Sequence, residues 1–131
     1  VEEIRTAQAI VPVVSVQNRC NPLDRRAYFD GVIELCEEQG LAFLPYSPVG
    51  GGRDKGSVGT HPVLNEVGTA CGATAYEVAL AWLLATSPVM LPIPGASRQT
   101  SARSSARAGS LELAPEHLGR LAQVFPTGSR P

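Results

Sequence analysis

The segment LAFLPYSPVGGG, Leu41 to Gly52, gives the clearest indication of a parallel α/β fold. Its first six residues are apolar at nearly every position, as expected of a parallel strand covered on both faces and not of an alternating surface strand. Proline, serine and three consecutive glycines follow within a few residues, so the chain leaves this strand through a glycine-rich loop. The stretch predicts a buried strand over residues 41–46, with Tyr46 at its carboxyl end, and a mobile loop over residues 49–60.

Two more segments have the composition of strands. VVSVQN is rich in β-branched residues and predicts a strand over residues 13–18, and PVMLPIPG predicts a third strand over residues 89–93. Apolar residues at helical spacing between and around these strands predict helices, namely over residues 1–10, 27–39, 62–71, 75–86 and a final helix with Pro115 near its first turn. Alternating strands and helices predict right-handed βαβ units and a parallel α/β sheet within a single domain, residues 1–131.

Composition excludes several classes of function. The net charge of −1 and the pI near 6.1 give no overall attraction to nucleic acid or to an anionic membrane. Without a run of about 20 apolar residues or a signal peptide, we expect a cytoplasmic protein. Cys20, Cys36 and Cys71 are widely spaced and predict free thiols, with neither a disulfide framework nor a zinc site. The first residue is Val1 and not Met, which suits a processed, proteolysed or excised piece of a longer protein.

Candidate binding residues follow the strands, because ligands of parallel α/β proteins lie beyond the carboxyl ends of the strands. Gln17 has an amide that can pair with another amide. Tyr46 offers a flat ring on which a planar group can stack. Residues 95–98 combine backbone N–H groups with a hydroxyl and a guanidinium, as a phosphate site does. Each feature alone is more simply explained by packing or ordinary hydrogen bonding, but their common position favours a ligand site.

At these segments the chain resembles the C-terminal half of the aldo/keto reductases. VVSVQNRCNPLDR resembles strand six of that family, GLAFLPYSPVGGG resembles strand seven, and GATAYEVALAWLLATSPVMLPIPGAS resembles helix seven and strand eight. The similarity runs from about Val1 to Phe125. It implies the C-terminal half of a TIM (β/α)8 barrel that binds NADP(H) without a glycine-rich Rossmann fingerprint.

The resemblance also assigns roles to single residues. Gln17 would hold the nicotinamide carboxamide, and Tyr46 would stack on the nicotinamide ring. The remaining positions implied for the cofactor are Ser47, Pro48, Val49 and Gly50 along the pyrophosphate, Ser97 and Arg98 at the 2′-phosphate with Ile93, Gly95 and Ala96 shaping that pocket, and Ser104 and Ser105 at the adenine. The family commonly has Glu-Asn at these last two positions, so the adenine contacts are expected to be weaker or different. Cys20 replaces a usual tyrosine.

The catalytic groups of the family have no counterpart here. Its catalytic Asp, Tyr, Lys and His belong to the first half of the barrel, and His61 and His117 match none of them. Lys55, the one lysine, falls in the glycine-rich loop, and Tyr28 and Tyr76 fall on predicted helices. The resemblance therefore implies the cofactor-binding part of an oxidoreductase that reduces aldehydes or ketones, inactive without the N-terminal half-barrel.

A second reading stays open. A three-stranded parallel sheet leaves two unpaired edges, which natural proteins rarely expose. The chain could instead be a stand-alone half-barrel that pairs with a second copy of itself and acts as a non-catalytic nucleotide-binding or structural protein, or as a regulatory subunit that senses the redox state of NADP(H). Nothing in the sequence identifies a substrate.

Overall fold

The computed structural model describes residues 1–51 and 55–128. Two strands, β1 (Ser15–Arg19) and β2 (Ala42–Tyr46), lie among helices. The helices are α1 (Glu2–Gln8), α2 (Arg26–Phe29), α3 (Val32–Gln39), α4 (Lys55–Gly59), α5 (Pro62–Cys71), α6 (Ala75–Thr86), α7 (Gln99–Ala108) and α8 (Pro115–Val124). The predicted bounds of α5 and α6 are confirmed. Thr74 and Glu77 form a capping box at the start of α6.

The two strands form a parallel pair. Their register runs from Ser15 opposite Ala42 to Arg19 opposite Tyr46. The connection between them passes through α2 and α3, which is the predicted βαβ arrangement. The predicted strands over residues 13–18 and 41–46 are therefore confirmed, with small shifts of their ends.

The third predicted strand, residues 89–93, is wrong as a regular strand. In this segment, called here the third segment, Met90 makes one isolated parallel bridge with Phe43. The Phe43 N–H donates to the Val89 carbonyl at 2.8 Å, and the Leu91 N–H donates to the Phe43 carbonyl at 2.8 Å. The next bond of the ladder would need an N–H from Pro45, which has none. The third segment therefore runs beside β2 without completing a ladder.

Prolines also shape the other side of the third segment. Residues 89, 91 and 93 exchange hydrogen bonds with β2, so the alternate residues Met90 and Pro92 face the opposite, outer edge. Pro92 has no N–H, and the Met90 N–H donates to the Ser87 carbonyl at 3.3 Å.

Three helical expectations need correction. The predicted helix over residues 27–39 is split into α2 and α3, because Gly31 between them adopts a left-handed φ of 77°. The Asp30 carboxylate accepts a bond from the Val32 N–H at 3.1 Å and starts α3 there. The predicted loop over residues 49–60 contains α4, whereas its residues 52–54 lie outside the described part. Helix α7 occupies a polar segment to which the sequence assigned no element.

The hydrophobic core lies between β2 and the helices, around α6. Trp82 is 2% exposed, and its ring packs against Phe125 at 6.0 Å and against Tyr28 at 5.9 Å between ring centroids. Phe43 of β2 is fully buried in the same cluster. Burial on nearly all sides matches the continuous apolar sequence of α6.

Across the described residues no single helix is long and apolar enough to cross a membrane; only α5 and α6 together would be, and they meet at 90°.

Candidate functional site

Gln17, the central residue of β1, and Tyr46, the last residue of β2, lie on one face of the sheet. Gln17 is opposite Leu44 and Tyr46 is opposite Arg19, so their side chains share the face away from buried Phe43. The Tyr46 side chain is 42% exposed. A cavity of about 330 Å³ lies here, lined by Gln17, Asn18, Arg19, Arg26, Ala27, Asp30 and Tyr46. We call it the strand-end cavity.

Two arginines that line the strand-end cavity, Arg19 and Arg26, pair with the same carboxylate, Asp24. Arg26 donates to both carboxylate oxygens of Asp24, at 2.9 and 2.8 Å. The hydrogen bond from Arg26 holds the pKa of Asp24 below its usual value, against the opposing effect of burial. Arg19 also approaches Asp24, with Nε 3.4 Å from a carboxylate oxygen. Asp24 therefore orients two guanidinium groups around the cavity.

The chain bends sharply after β2. Ser47 has a φ of 51° and Gly50 a φ of 86°, and both lie in the region that L-residues other than glycine rarely adopt. The Gly50 N–H donates to the Ser47 carbonyl at 2.9 Å and closes the turn. Pro48 and Gly50 are buried, and Val49 is half-buried. The segment predicted to line a pyrophosphate is therefore a compact turn.

Asn21, which the sequence did not single out, holds this turn in place. Its side chain is completely buried. The Asn21 amide donates to the Ser47 carbonyl at 3.0 Å, while its oxygen accepts from the backbone N–H groups of Leu23 and Asp24 at 2.9 and 3.0 Å. Since Ser47 is 26 residues away in sequence, no local pattern could reveal this contact.

A second cavity, of about 290 Å³, lies between the turn after β2 and helices α6 and α7. It is lined by Val49, Thr74, Tyr76, Leu80, Gly95, Thr100, Ser101, Ser104 and Ser105, and we call it the hydroxyl cavity, because six of these side chains carry a hydroxyl group. Of the candidate residues, the structure brings Val49, Gly95, Ser104 and Ser105 together here. The sequence missed Thr74, Tyr76, Thr100 and Ser101, since they come from helices or from the segment without an assigned element.

The other candidate residues precede α7. Ile93 is 39% exposed, and Ala96, Ser97 and Arg98 are exposed. Arg98 occupies the N-cap position of α7, and its side chain makes no capping hydrogen bond. These four side chains are not in the lining of either cavity.

The histidines and cysteines lie in the helical layers. The His61 ring packs against Phe125 at 4.9 Å, and burial lowers the pKa of His61. His117 Nδ1 is 3.3 Å from the Cys71 sulfur. All three cysteines are free thiols. Within residues 1–51 and 55–128, no group of three or more His, Cys, Asp or Glu side chains could hold a metal ion.

Comparison with known proteins identifies the family. The sequence model of the aldo/keto reductase family matches residues 1–125. The chain belongs to the aldo/keto reductase family. This aldo/keto reductase chain is 36% identical over 121 residues to an oxidoreductase of Schizosaccharomyces pombe that is described as uncharacterised, covering 92% of the chain and 38% of that protein. It is 36% identical over 119 residues to pyridoxine 4-dehydrogenase of Escherichia coli, covering 91% of the chain and 40% of that enzyme.

Solved structures agree on the fold. A thermostable aldo-keto reductase crystallised with the inhibitor epalrestat matches with a TM-score of 0.79 and 29% identity, over 93% of this chain and 43% of that one. An aldo-keto reductase of Klebsiella pneumoniae, solved with NADPH, matches with a TM-score of 0.78 and 24% identity, over 89% of this chain and 41% of that one. The chain thus has the fold of part of a TIM barrel and spans about two fifths of the length of these relatives. The family and fold predicted from sequence are confirmed.

Proposed function

We propose that this aldo/keto reductase chain is the NADP(H)-binding part of an enzyme that reduces aldehydes or ketones, and that catalysis depends on an N-terminal half-barrel. One observation carries the proposal. Gln17 and Tyr46 line one cavity at the carboxyl ends of the parallel strands, and Val49, Gly95, Ser104 and Ser105 line another, next to the turn after β2. Candidates separated by up to 88 positions in sequence thus occupy the end of the sheet where parallel α/β proteins bind ligands.

The chemistry of each region suits one part of the cofactor. An exposed Tyr46 ring can stack on a nicotinamide, and the Gln17 amide can pair with its carboxamide. The backbone N–H groups at the uncapped start of α7 suit a phosphate, and α7 contains no acidic residue that would repel one. Arg98 beside them can add a charge-assisted bond. NADPH would supply a hydride, and the residues of this chain would bind and orient it.

Binding is tested by titrating the chain with NADPH and following both nicotinamide fluorescence and saturation-transfer NMR of the ligand. We expect affinity in the range of about 1 mM, because the ligand contacts of the remaining barrel are missing. Tyr46→Ala should weaken binding several-fold. Phe29→Ala is the matched control, since Phe29 is an aromatic side chain 61% exposed that lines neither cavity.

Equal binding by the Tyr46→Ala and Phe29→Ala variants would contradict the nicotinamide assignment, and no saturation transfer to any ligand proton at millimolar concentration would contradict cofactor binding as such. The dependence on an N-terminal half-barrel has its own test. Incubation of the chain with NADPH and simple aldehydes should give no NADPH oxidation above background. Turnover by the chain alone would refute this part of the proposal.

The alternative of a self-associated half-barrel is supported by the edge at β1. In the described part of the chain β1 pairs with β2 on one side, and Val14, which directly precedes β1, is 76% exposed. Exposed apolar residues beside an open strand favour association. Light scattering over a hundredfold range of concentration separates the alternatives: a dimer throughout would favour self-association, and a monomer throughout would count against it.

A further inference from the structure

Glu77 is a buried carboxylate that contacts two residues lining the hydroxyl cavity. This residue lies in α6 and is 3% exposed. Oε2 accepts from the Thr74 backbone N–H at 2.7 Å and from the Thr74 hydroxyl at 3.0 Å. Oε1 accepts from the Ser104 hydroxyl at 3.1 Å and lies 3.3 Å from Arg107 Nε. Two residues of the cavity wall, Thr74 and Ser104, thus make hydrogen bonds to one carboxylate.

The carboxylate is ionised at neutral pH. Burial is the largest single influence and raises the pKa of Glu77, but the hydrogen bonds from Thr74 and Ser104 and the charge of Arg107 together hold this pKa below its usual value. An ionised carboxylate accepts hydrogen bonds and donates none. Both hydroxyl groups that contact it must therefore be the donors.

This fixes the direction of the Ser104 hydroxyl. A serine hydroxyl has a single hydrogen, and in Ser104 that hydrogen is committed to Glu77. Ser104 also lines the hydroxyl cavity, so its oxygen can present lone pairs to a ligand there but no hydrogen. A hydroxyl bound to solvent could rotate to suit either kind of ligand group, whereas this one is held as an acceptor.

We propose that Glu77 makes Ser104 a hydrogen-bond acceptor toward the hydroxyl cavity, so that the cavity selects a ligand group that donates a hydrogen bond over one that accepts. The inference rests on the proposed function for the identity of the ligand. The proposed function places adenine beside Ser104. Its amino group can donate a hydrogen bond to the Ser104 oxygen, whereas the oxo group of hypoxanthine would face that oxygen with lone pairs on both sides. Glu77 is thus a positioning residue for base selectivity.

The variant Glu77→Gln should turn the Ser104 hydroxyl from an acceptor into a donor toward the hydroxyl cavity. The Thr74 N–H and hydroxyl both donate to one carboxylate oxygen, so the amide oxygen of glutamine will take that place. The amide nitrogen then faces Ser104 and donates to it. Ser104 regains a free hydrogen and becomes a donor toward the cavity. The substitution changes the size of the side chain very little, so a change in selectivity reflects hydrogen-bond direction.

The experiment compares affinities for NADPH and for reduced nicotinamide hypoxanthine dinucleotide phosphate, by ligand-observed NMR titration of the full chain. The wild-type chain should bind NADPH about fivefold to tenfold more tightly than the hypoxanthine analogue. In Glu77→Gln the two affinities should become equal, or the hypoxanthine analogue should bind more tightly. In Ser104→Ala the ratio of the two affinities should be close to one. Glu112→Gln, at an exposed glutamate outside the cavity lining, should leave it unchanged.

The outcomes separate this inference from the proposed function. A purely structural role of Glu77 would weaken both ligands equally and leave the ratio unchanged in Glu77→Gln, which would overturn the inference. Equal wild-type affinities for both ligands would overturn it as well, with NADP(H) binding itself left standing. No binding of either ligand would overturn the proposed function and the inference with it. If Glu77→Gln fails to fold, the ratio measured with Ser104→Ala decides alone.

Discussion

Removing the Asn21 side chain should destabilise the chain strongly. Asn21→Ala deletes the bond to the Ser47 carbonyl and both bonds from the Leu23 and Asp24 N–H groups. The Ser47 carbonyl keeps the Gly50 N–H, and the Asp24 N–H keeps the Asn21 carbonyl. The Leu23 N–H loses the Asn21 side-chain oxygen as its acceptor, next to a fully buried site. An orphaned donor of this kind costs about 1–3 kcal/mol, and the two partly replaced bonds add about 1 kcal/mol, so we expect a loss of about 2–4 kcal/mol.

Urea unfolding followed by circular dichroism measures this loss. For a chain of this size it corresponds to a fall in melting temperature of roughly 10 °C. Asn65→Ala is the matched control, because the Asn65 amide also donates to two carbonyl oxygens, those of Gly59 and His61 at 3.0 Å each, but is exposed to water that can replace it. It should cost less than about 0.5 kcal/mol. Equal losses for the two variants would refute the view that burial makes the Asn21 contacts costly to lose.

Three further measurements follow from the described contacts. Ellman's reagent should modify Cys71, which is half-buried, and spare Cys36 and Cys20 in the folded chain, because both are buried and burial raises the pKa of the Cys20 thiol to about 12; rapid reaction of all three would contradict this. Because the folded pKa of Glu77 lies below its unfolded value, its stabilising contribution is present above about pH 4.3 and is lost as the pH falls through the folded pKa. The difference in unfolding free energy between wild type and Glu77→Gln should therefore shrink as the pH falls below about 4.3, and a constant difference would argue against this contribution. Gly50→Ala should cost about 1 kcal/mol in unfolding free energy, because φ is 86° there; an unchanged midpoint would show that the turn can relax.

Local signals predicted most of the fold. The capping residues Thr74 and Glu77 mark the start of α6, and Gly40 with its φ of 65° ends α3. The apolar run of β2 predicted a buried parallel strand. These features depend on residues within a few positions of each other, which a pattern in the sequence can register.

Long-range contacts account for what the sequence did not predict. Helix α7 has serine, alanine and arginine in place of an apolar stripe, and it is joined to α6 by bonds from Ser104 and Arg107 to Glu77, 27 and 30 residues away. The third segment fails as a strand because Pro45, which lies beside it in β2, has no N–H to continue the ladder. The apolar run of β2 alone gives no sign of this. Gln17 and Tyr46 line one cavity, whereas Val49, Gly95, Ser104 and Ser105 line the other, because residues of α6 and α7 complete the hydroxyl cavity.

Pro92 restricts which strands can extend the sheet beyond the third segment. The outer edge of the third segment offers carbonyl oxygens but neither a Pro92 N–H nor a free Met90 N–H. Two copies of the chain meeting along this edge would bring acceptor against acceptor and form no ladder. A strand that pairs with this edge has to supply the N–H donors. The same edge of a second copy has none to supply. Because of Pro92, this edge can pair with a strand that supplies N–H donors, but it cannot pair with the same edge of a second copy of the chain.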